Sequence, residues 1–392
     1  SSFTNWRRAA RLASLCGLAG YARTDASAYF AEKELPCMDG HDIIVIGASA
    51  GGVEPTVTIL RELPQSLPAA VFVVIHIPPH VTSRLLRIFA RASRLPAQHA
   101  VDGAPIERGH IYVAPPDMHV LLEQGYMRVV RGPKENRTRP AIDPLFRTAA
   151  RVYGPRVIGV VLSGALNDGT AGLLAIKRRS GLAIVQDPHD AVVAMMPESA
   201  LDYVSVDHCV PAAQIAPLLN QLTRLGAEDE GAYPVPSDMD FEANIAQPFS
   251  GEVHASNRPG KLSAYTCPDC RGPLWEIEDG ELLRYRCREG HAFTGDTVLD
   301  GQYEAIEVAL WTALETLTES ALMADHLAQQ ARGRGHRMIE KRFREKAGAA
   351  RERAAIIRDV LNKSGAIIPP ERPDLTGGAR ETSASLESSA GA

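Results

Sequence analysis

A β-branched run that stops at a glycine-flanked serine constrains this chain more than any other feature. Ile43-Ile44-Val45-Ile46 leads into Gly47-Ala48-Ser49-Ala50-Gly51-Gly52. Such a run reads as a buried strand, and the glycines after it allow a tight turn and close backbone approach. Two further runs repeat the pattern. Val71-Phe72-Val73-Val74-Ile75 reaches His76, and Val157-Ile158-Gly159-Val160-Val161-Leu162-Ser163 leads into Gly164-Ala165-Leu166-Asn167-Asp168-Gly169. Helical patterns over 54–63, 83–92, 144–151, 170–179 and 211–225 alternate with these runs and with a fourth strand at 182–186. This βα alternation predicts an α/β fold with a doubly wound, mostly parallel sheet.

Ser49 is then either a nucleophile or part of a phosphate cradle. The cradle reading lacks the full G-x-G-x-x-G spacing, the acidic residue about 20 positions on, and the Gly-Lys-Ser/Thr of a P-loop. The nucleophile reading needs a base and an orienting acid, and the other two strand ends offer them. Parallel strands end at one edge of the sheet, so Ser49, His76 and Asp168 are expected there together. The bland alternatives are a packed histidine and an ordinary Asn-Asp-Gly turn. The chain order Ser, His, Asp differs from the Ser, Asp, His of α/β-hydrolases, so Gly-x-Ser-x-Gly here does not point to that fold.

Residues from about 42 to 222 resemble the catalytic domain of the chemotaxis protein-glutamate methylesterase family, the CheB type. The resemblance rests on Ile46 to Gly52, Ile75-His76-Ile77-Pro78, Val113-Ala114-Pro115-Pro116-Asp117-Met118-His119, Arg139-Pro140-Ala141-Ile142-Asp143-Pro144-Leu145-Phe146-Arg147, Leu162 to Gly169 and Met196-Pro197-Glu198-Ser199-Ala200. It implies hydrolysis of glutamate γ-methyl esters on methylated chemoreceptor-type proteins, without a catalytic cofactor, and in many members deamidation of receptor glutamines. In that chemistry His76 takes the Ser49 proton, backbone amides hold the oxyanion and Asp168 steadies the imidazolium. The family usually has Gly-Met-Gly where this chain has Gly164-Ala165-Leu166; Ala165 keeps a backbone N–H for an oxyanion, whereas Leu166 puts the loop conformation in question. Many members carry a receiver domain ahead of the esterase. The roughly 40 residues before the first strand are too few for one, so a stand-alone form without gating in cis is expected, with 1–37 a disordered leader or an over-extended reading frame.

At 392 residues the chain has room for two or three domains. A formal net charge of −5 gives no reason to expect nucleic acid. No apolar run approaches the ~18–20 residues of a spanning helix, so no membrane insertion is expected. Cys16, Cys37, Cys209, Cys267, Cys270 and Cys287 do not form a disulfide framework, which suggests a reducing cytoplasm. His80, His99, His110 and His119 have no metal-ligand spacing; Arg139 and Asp143 read either as substrate-shaping groups or as a solvated ion pair.

After the catalytic domain (38–225), residues 226–262 read as a linker. Cys267-Pro268-Asp269-Cys270 and Cys287-Arg288-Glu289-Gly290-His291, flanking a hairpin pattern, then predict a zinc-ribbon-like module over 263–296, with Cys267, Cys270, Cys287 and His291 holding one structural zinc. The alternative is a knuckle without metal; a redox Cys-x-x-Cys lacks its βαβ context. Over 297–363 the residues Tyr303, Ile306, Leu310, Ala313, Leu317 and Ser320, then Phe343, Ala347, Ala350, Ala354, Ile357 and Leu361, make two helical stripes broken at Gly333-Arg334-Gly335. A helical hairpin is expected, either packed on itself or serving as a homodimer or receptor-docking arm. The tail, 364–392, should be disordered. Two functions follow: an esterase, or a signalling scaffold that keeps the esterase fold and docks partners through the ribbon and helical arm.

Overall fold

A computed structural model describes residues 40–77, 84–227, 234–245 and 260–363. The expected leader (1–37), the tail (364–392), His80 and most of the linker lie outside the described residues.

The first strands are β1 (Ile43–Ala48), β2 (Ala70–Ile75), β3 (Ala97–His99) and β4 (Ile111–Val113). A hairpin of β5 (His119–Glu123) and β6 (Tyr126–Val130) follows, then β7 (Val157–Val161), β8 (Leu182–Gln186) and β9 (His208–Val210). Seven of them form one sheet in the order β3-β4-β2-β1-β7-β8-β9, and every pairing in it is parallel. On one side of β1 the chain adds β2, then β3 at the edge, then β4 between them, and it returns to build the other side from β7. The switch point therefore lies between β1 and β7, where open α/β sheets form a crevice beyond the strand ends.

Alternation along each strand feeds two cores. Ile44, Ile46, Val71 and Val73 face α1 (Val53–Glu62), α2 (Leu85–Ala92) and α6 (Ala212–Leu222), meeting Ile59, Phe89 and Leu219. Val45, Phe72 and Val74 face α3 (Ile142–Tyr153), α4 (Thr170–Arg178) and α5 (Met195–Tyr203), meeting Phe146, Leu173 and Met196. Helices thus cover both faces, as a parallel sheet needs.

The segment expected as a linker contains a helix, α7 (Ser237–Ile245), with Met239 and Glu242 buried. Beyond it, β10 (Lys261–Thr266), β11 (Pro273–Asp279), β12 (Leu282–Cys287) and β13 (Ala292–Thr294) make a four-stranded antiparallel sheet. Its small core is Leu274, Tyr285, Phe293 and Val298 with Cys267 and Cys287.

A buried ion cluster fixes this sheet to the first. Arg147 of α3 donates to Glu135 at 2.7 and 2.9 Å, and Arg286 of β12 donates to the same carboxylate at 3.2 Å. Arg284 of β12 forks onto Glu242 of α7 with two bonds of 2.9 Å and reaches Asp279 at 2.9 Å. Three arginines face three carboxylates, so each charge of this cluster has a partner.

Two long helices end the described chain, α8 (Gly295–Gly333) and α9 (Arg337–Lys363), separated by a break at 334–336. Their buried residues are mostly alanine: Ala321, Ala324, Ala328 and Ala331 on α8, and Ala347, Ala350 and Ala354 on α9. The seam differs from the stripe expected on α8. Tyr303, Ile306 and Ser320 are exposed, and Leu314 and the alanines are buried instead. Small side chains let two helices approach closely, so alanine decides which face packs.

Candidate active site

The three strand-end residues converge. Ser49 follows β1, His76 follows the adjacent β2, and Asp168 lies beyond β7 on the other side of β1. His76 Nε2 is 2.7 Å from Asp168 Oδ2, and His76 Nδ1 is 3.1 Å from Ser49 Oγ. An ionised carboxylate can only accept, so Nε2 carries the ring proton and Nδ1 presents its lone pair to the serine hydroxyl. The strand ends are tied together as well: the Ser49 amide donates to the Ser163 carbonyl at 2.9 Å and the His76 amide to the Ala48 carbonyl at 3.2 Å.

Asp168 is 2% exposed, and burial by itself would raise its pKa. The His76 hydrogen bond and charge, with the Ile142 amide and the Asn136 side chain, outweigh burial and hold it down at about 2. Its Oδ2 also accepts from the Ile142 amide at 2.7 Å. Its Oδ1 accepts from Asn136 Nδ2 at 3.0 Å, the Gly169 amide at 3.1 Å and the Asp143 amide at 3.2 Å. Ile142 and Asp143 open α3, so the carboxylate also faces a helix N-terminus, which favours its charged form.

The wall beside Ser49 is a loop of small residues. A side chain on Gly164 would run into Met196 and would lie 2.8 Å from Ser49 Cβ, so only glycine lets the loop pass there. Gly51, at φ +72°, turns the chain after the serine. Leu166 sits at φ 63°. A left-handed leucine is strained, and it keeps a backbone shape that glycine adopts without strain. The departure from Gly-Met-Gly thus leaves a left-handed residue at this position. A cleft of about 290 Å³ opens over His76, lined also by Ile77, Asp117, Lys134, Arg137, Thr138 and Arg139.

Several residues here escaped the sequence reading. Asp143 is a second buried carboxylate, not a solvated ion-pair member: it accepts from the Gly172 and Gly169 amides at 2.7 and 3.0 Å and from Asn136 at 3.0 Å. Those donors favour its anion, yet burial and the neighbouring Asp168 charge dominate and raise its pKa well above the carboxylate range. Asn136 bridges the two acids. Arg139 instead pairs with Asp117 at the cleft rim, at 2.7 Å. His119 is fully buried, donating from Nε2 to the Pro133 carbonyl at 2.8 Å and accepting the Ala141 amide on Nδ1 at 3.2 Å, so it clamps both ends of the loop that carries Asn136. Burial lowers its pKa, which suits a neutral clamp.

Cys267, Cys270, Cys287 and His291 bring their ligand atoms within 4.8 Å of one another. Cys270 Sγ is 3.6 Å from Cys287 Sγ, and His291 Nδ1 is 3.7 and 3.4 Å from the sulfurs of Cys267 and Cys287. A tetrahedral zinc with Zn–S of about 2.3 Å sets sulfur–sulfur edges near 3.8 Å and nitrogen–sulfur edges of about 3.5 Å, so the donor set fits such an ion.

Among known proteins, the family model described as CheB methylesterase matches residues 44–219. A Leptospira interrogans protein named for protein-glutamate methylesterase and protein-glutamine glutaminase is 39% identical over 189 residues, covering 48% of this chain and 98% of that protein. A protein-glutamate methylesterase/protein-glutamine glutaminase of Anaeromyxobacter dehalogenans is 38% identical over 183 residues, 47% of this chain and 54% of that protein, so here the chain spans about half of its relative. The crystal structure of the Thermotoga maritima CheB methylesterase catalytic domain is 34% identical, with 47% of this chain and 99% of that chain covered and a TM-score of 0.45. With a relative 39% identical across nearly its whole length, and the family's own pattern over 44–219, this chain belongs to the CheB methylesterase family.

Proposed function

We propose that this protein hydrolyses glutamate γ-methyl esters on chemoreceptor-type proteins in chemotaxis-like adaptation, with Ser49 as nucleophile, His76 as general base and Asp168 as orienting acid. The observation that carries the reading is the hydrogen-bonded line from Ser49 Oγ through His76 to Asp168, at 3.1 and 2.7 Å, at the switch point of the sheet. The names of the relatives support the substrate class. His76 Nδ1 takes the hydroxyl proton as Ser49 Oγ attacks the ester carbonyl. The Ala165 amide is the proposed oxyanion donor. The imidazolium, steadied by Asp168, returns the proton to the departing methanol, and water activated by His76 then releases the glutamate carboxylate. A glutamine side chain follows the same route with ammonia leaving, so deamidation is proposed for the same site.

The proposal extends to the C-terminal cysteines. Cys267, Cys270, Cys287 and His291 hold one structural zinc, four protein ligands leaving no open position for catalysis. The protein acts in the cytoplasm, where those thiols stay reduced. The exposed Tyr303, Ile306 and Trp311 of α8 offer a contact for a second copy, which sedimentation equilibrium tests. Among the described residues no helix is long and apolar enough to cross a membrane.

The deciding experiment is methanol release from methylated receptor membranes. Wild type releases methanol, and Ser49→Ala slows release at least about a thousandfold. Membranes bound by wild type with no methanol released would overturn the esterase reading in favour of a scaffold.

A further inference from the structure

We propose that the C-terminal module completes the active site: Thr294 and Thr297, at the start of α8, are positioning residues for Asp168 that act through the amides of Asn136 and Asn167. The proposal rests on Asp168 being the orienting acid, and its test separates the two ideas.

Three stretches of chain meet behind Asp168: the loop carrying Asn136, the β7–α4 loop carrying Asn167, and the β13–α8 junction. Asn136, Asn167, Thr294 and Thr297 are 4%, 4%, 3% and 0% exposed, so water is not on hand to satisfy their polar atoms. Asn136 spends both side-chain protons on carboxylates, one on Asp168 Oδ1 and one on Asp143 Oδ2, each at 3.0 Å. Its Oδ1 must therefore face the other way, and Thr297 Oγ1 lies there at 3.5 Å. Thr294 Oγ1 donates to Asn167 Oδ1 at 2.8 Å, and Thr297 Oγ1 is 3.1 Å from the same oxygen and 2.8 Å from Thr294 Oγ1.

The proton count is tight. Two hydroxyl protons serve two amide oxygens: the Thr294 proton goes to Asn167, and the Thr297 proton is shared between Asn167 at 3.1 Å and Asn136 at 3.5 Å. A flipped Asn136 would aim its oxygen at the Asp168 carboxylate, an acceptor facing an acceptor. The carboxylate thus selects the rotamer that presents N–H, and the Thr297 hydroxyl supports the oxygen that this rotamer turns away. Asn167 immediately precedes Asp168, and its Nδ2 donates to Asp296 of α8 at 3.3 Å. The backbone agrees: the Asn136 amide donates to the Ala292 carbonyl at 2.8 Å, and Asn136 holds φ 47°. Arg137 of the same loop pairs with Glu304 of α8. The module is already anchored by the Glu135–Arg286 and Glu242–Arg284 pairs, so the hydroxyls are free to serve orientation rather than attachment.

The test compares Thr294→Val/Thr297→Val with Thr294→Ser/Thr297→Ser in the full chain. Valine keeps the shape and deletes the hydroxyls; serine keeps the hydroxyls. Three measurements are made: kcat and KM for methyl-ester hydrolysis, thermal melting, and the low-field proton resonance of His76 Nε2–H, assigned by its loss in His76→Gln. The valine pair lowers kcat about tenfold, the worth of one buried hydrogen bond, with KM unchanged, and shifts or broadens the resonance. The serine pair restores both. A folded valine pair with wild-type kcat and resonance overturns the proposal. So does a serine pair as impaired as the valine pair, because packing would then be the cause. If the valine pair melts too early to assay, Thr294→Val alone, read by the resonance, decides in the same sense. A wild type that releases no methanol, with a resonance that still responds to the valines, removes the esterase reading and leaves the positioning role standing.

Discussion

In the seven-stranded sheet every residue of β1 and β2 is buried, and helices close both faces. In the four-stranded sheet β10 is exposed along most of its length, and four apolar side chains with two cysteines make the core. The first can hold itself together by apolar burial. The second is small, with a cysteine–histidine cluster on one side and buried arginine pairs to the first sheet on the other. Yet this weaker unit reaches within one side chain of the acid behind His76. The largest effect should therefore come from the acid itself. Asp168→Asn would place a carboxamide against His76 Nε2. The amide N–H forces that nitrogen to accept, the ring proton moves to Nδ1, and Ser49 loses its base. Methanol release falls on the order of a thousandfold or more, while binding to receptor membranes persists. A loss under about tenfold would mean that the His76–Asp168 contact is not used in the reaction.

Removing the proposed zinc comes next and tests the two sheets apart. A strong chelator, or Cys267→Ser, should unfold residues 260–294 while the parallel sheet survives. Hydrogen exchange then rises across β10 to β13 and stays low in β1, β2 and β7. Native mass spectrometry should show one zinc lost. Methanol release should fall about tenfold and not to zero, since Asn136 and Asn167 lose their threonine partners but Ser49 and His76 remain. Unchanged exchange in β10 to β13 after metal removal would make the cluster dispensable, and the ion pairs sufficient.

The two regions also differed in how far the sequence revealed them. β1, β2, β7 and β8 stand out as apolar runs, and polar residues at their ends mark the front edge of a parallel sheet, so Ser49, His76 and Asp168 could be placed together from topology alone. β3, β4 and β9 are three residues each, too short for any periodicity to register. Cys267, Cys270, Cys287 and His291 are legible because ligand spacing is local. Asn136 is not: its partners lie at 143, 168 and 297, and nothing in an Asn-Arg-Thr stretch signals a bridge between two acids. Thr294 and Thr297 look like an ordinary helix cap, which they also are, with Thr294 accepting the Thr297 amide at 3.4 Å. A residue that works through a neighbour far along the chain carries no pattern of its own. Asp143 stayed open between substrate shaping and an ion pair with Arg139 for a related reason: the fold sends that arginine to Asp117 and Asp143 to backbone amides far along the chain.

Acid should act on the boundary between the sheets. Asp168, with its pKa held at about 2 against 3.8, stabilises the fold above about pH 4, and that contribution is lost as pH falls through about 2. Burial opposes the shift at Glu135, but Arg147 and Arg286 overcome it, so its pKa is also lowered and its contribution disappears in the same direction. Asp143 is shifted upward, so its contribution is fully present in acid and declines as pH rises. The expected outcome is loss of the His76–Asp168 contact as pH falls from about 4 to about 2, with detachment of the ribbon only at lower pH, because burial would raise the Glu242 pKa but Arg284, Arg147 and Arg286 hold it well below the carboxylate range; hydrogen exchange of β7 and β12 follows the two events. Loss of β12 protection ahead of β7 would show that the arginine pairs do not hold the two sheets together.

The smallest effect tests the loop at the sheet's edge without touching the ribbon. Leu166 holds φ 63° in a half-buried position, a conformation that costs a non-glycine residue about 1 kcal/mol. Leu166→Gly relieves that strain, offset in part by the lost side-chain contact and by the freer unfolded chain. The net expectation is a gain of roughly 0.5 kcal/mol, seen as a rise of about 1–2 °C in the melting of the parallel sheet, with ribbon exchange unchanged. Because the backbone already has the shape glycine prefers, kcat should stay within about threefold of wild type. A larger fall in kcat accompanied by the same stabilisation would give the strain a purpose: leucine would be holding the Ala165 amide in place beside Ser49, as the threonines of α8 hold the amide beside Asp168.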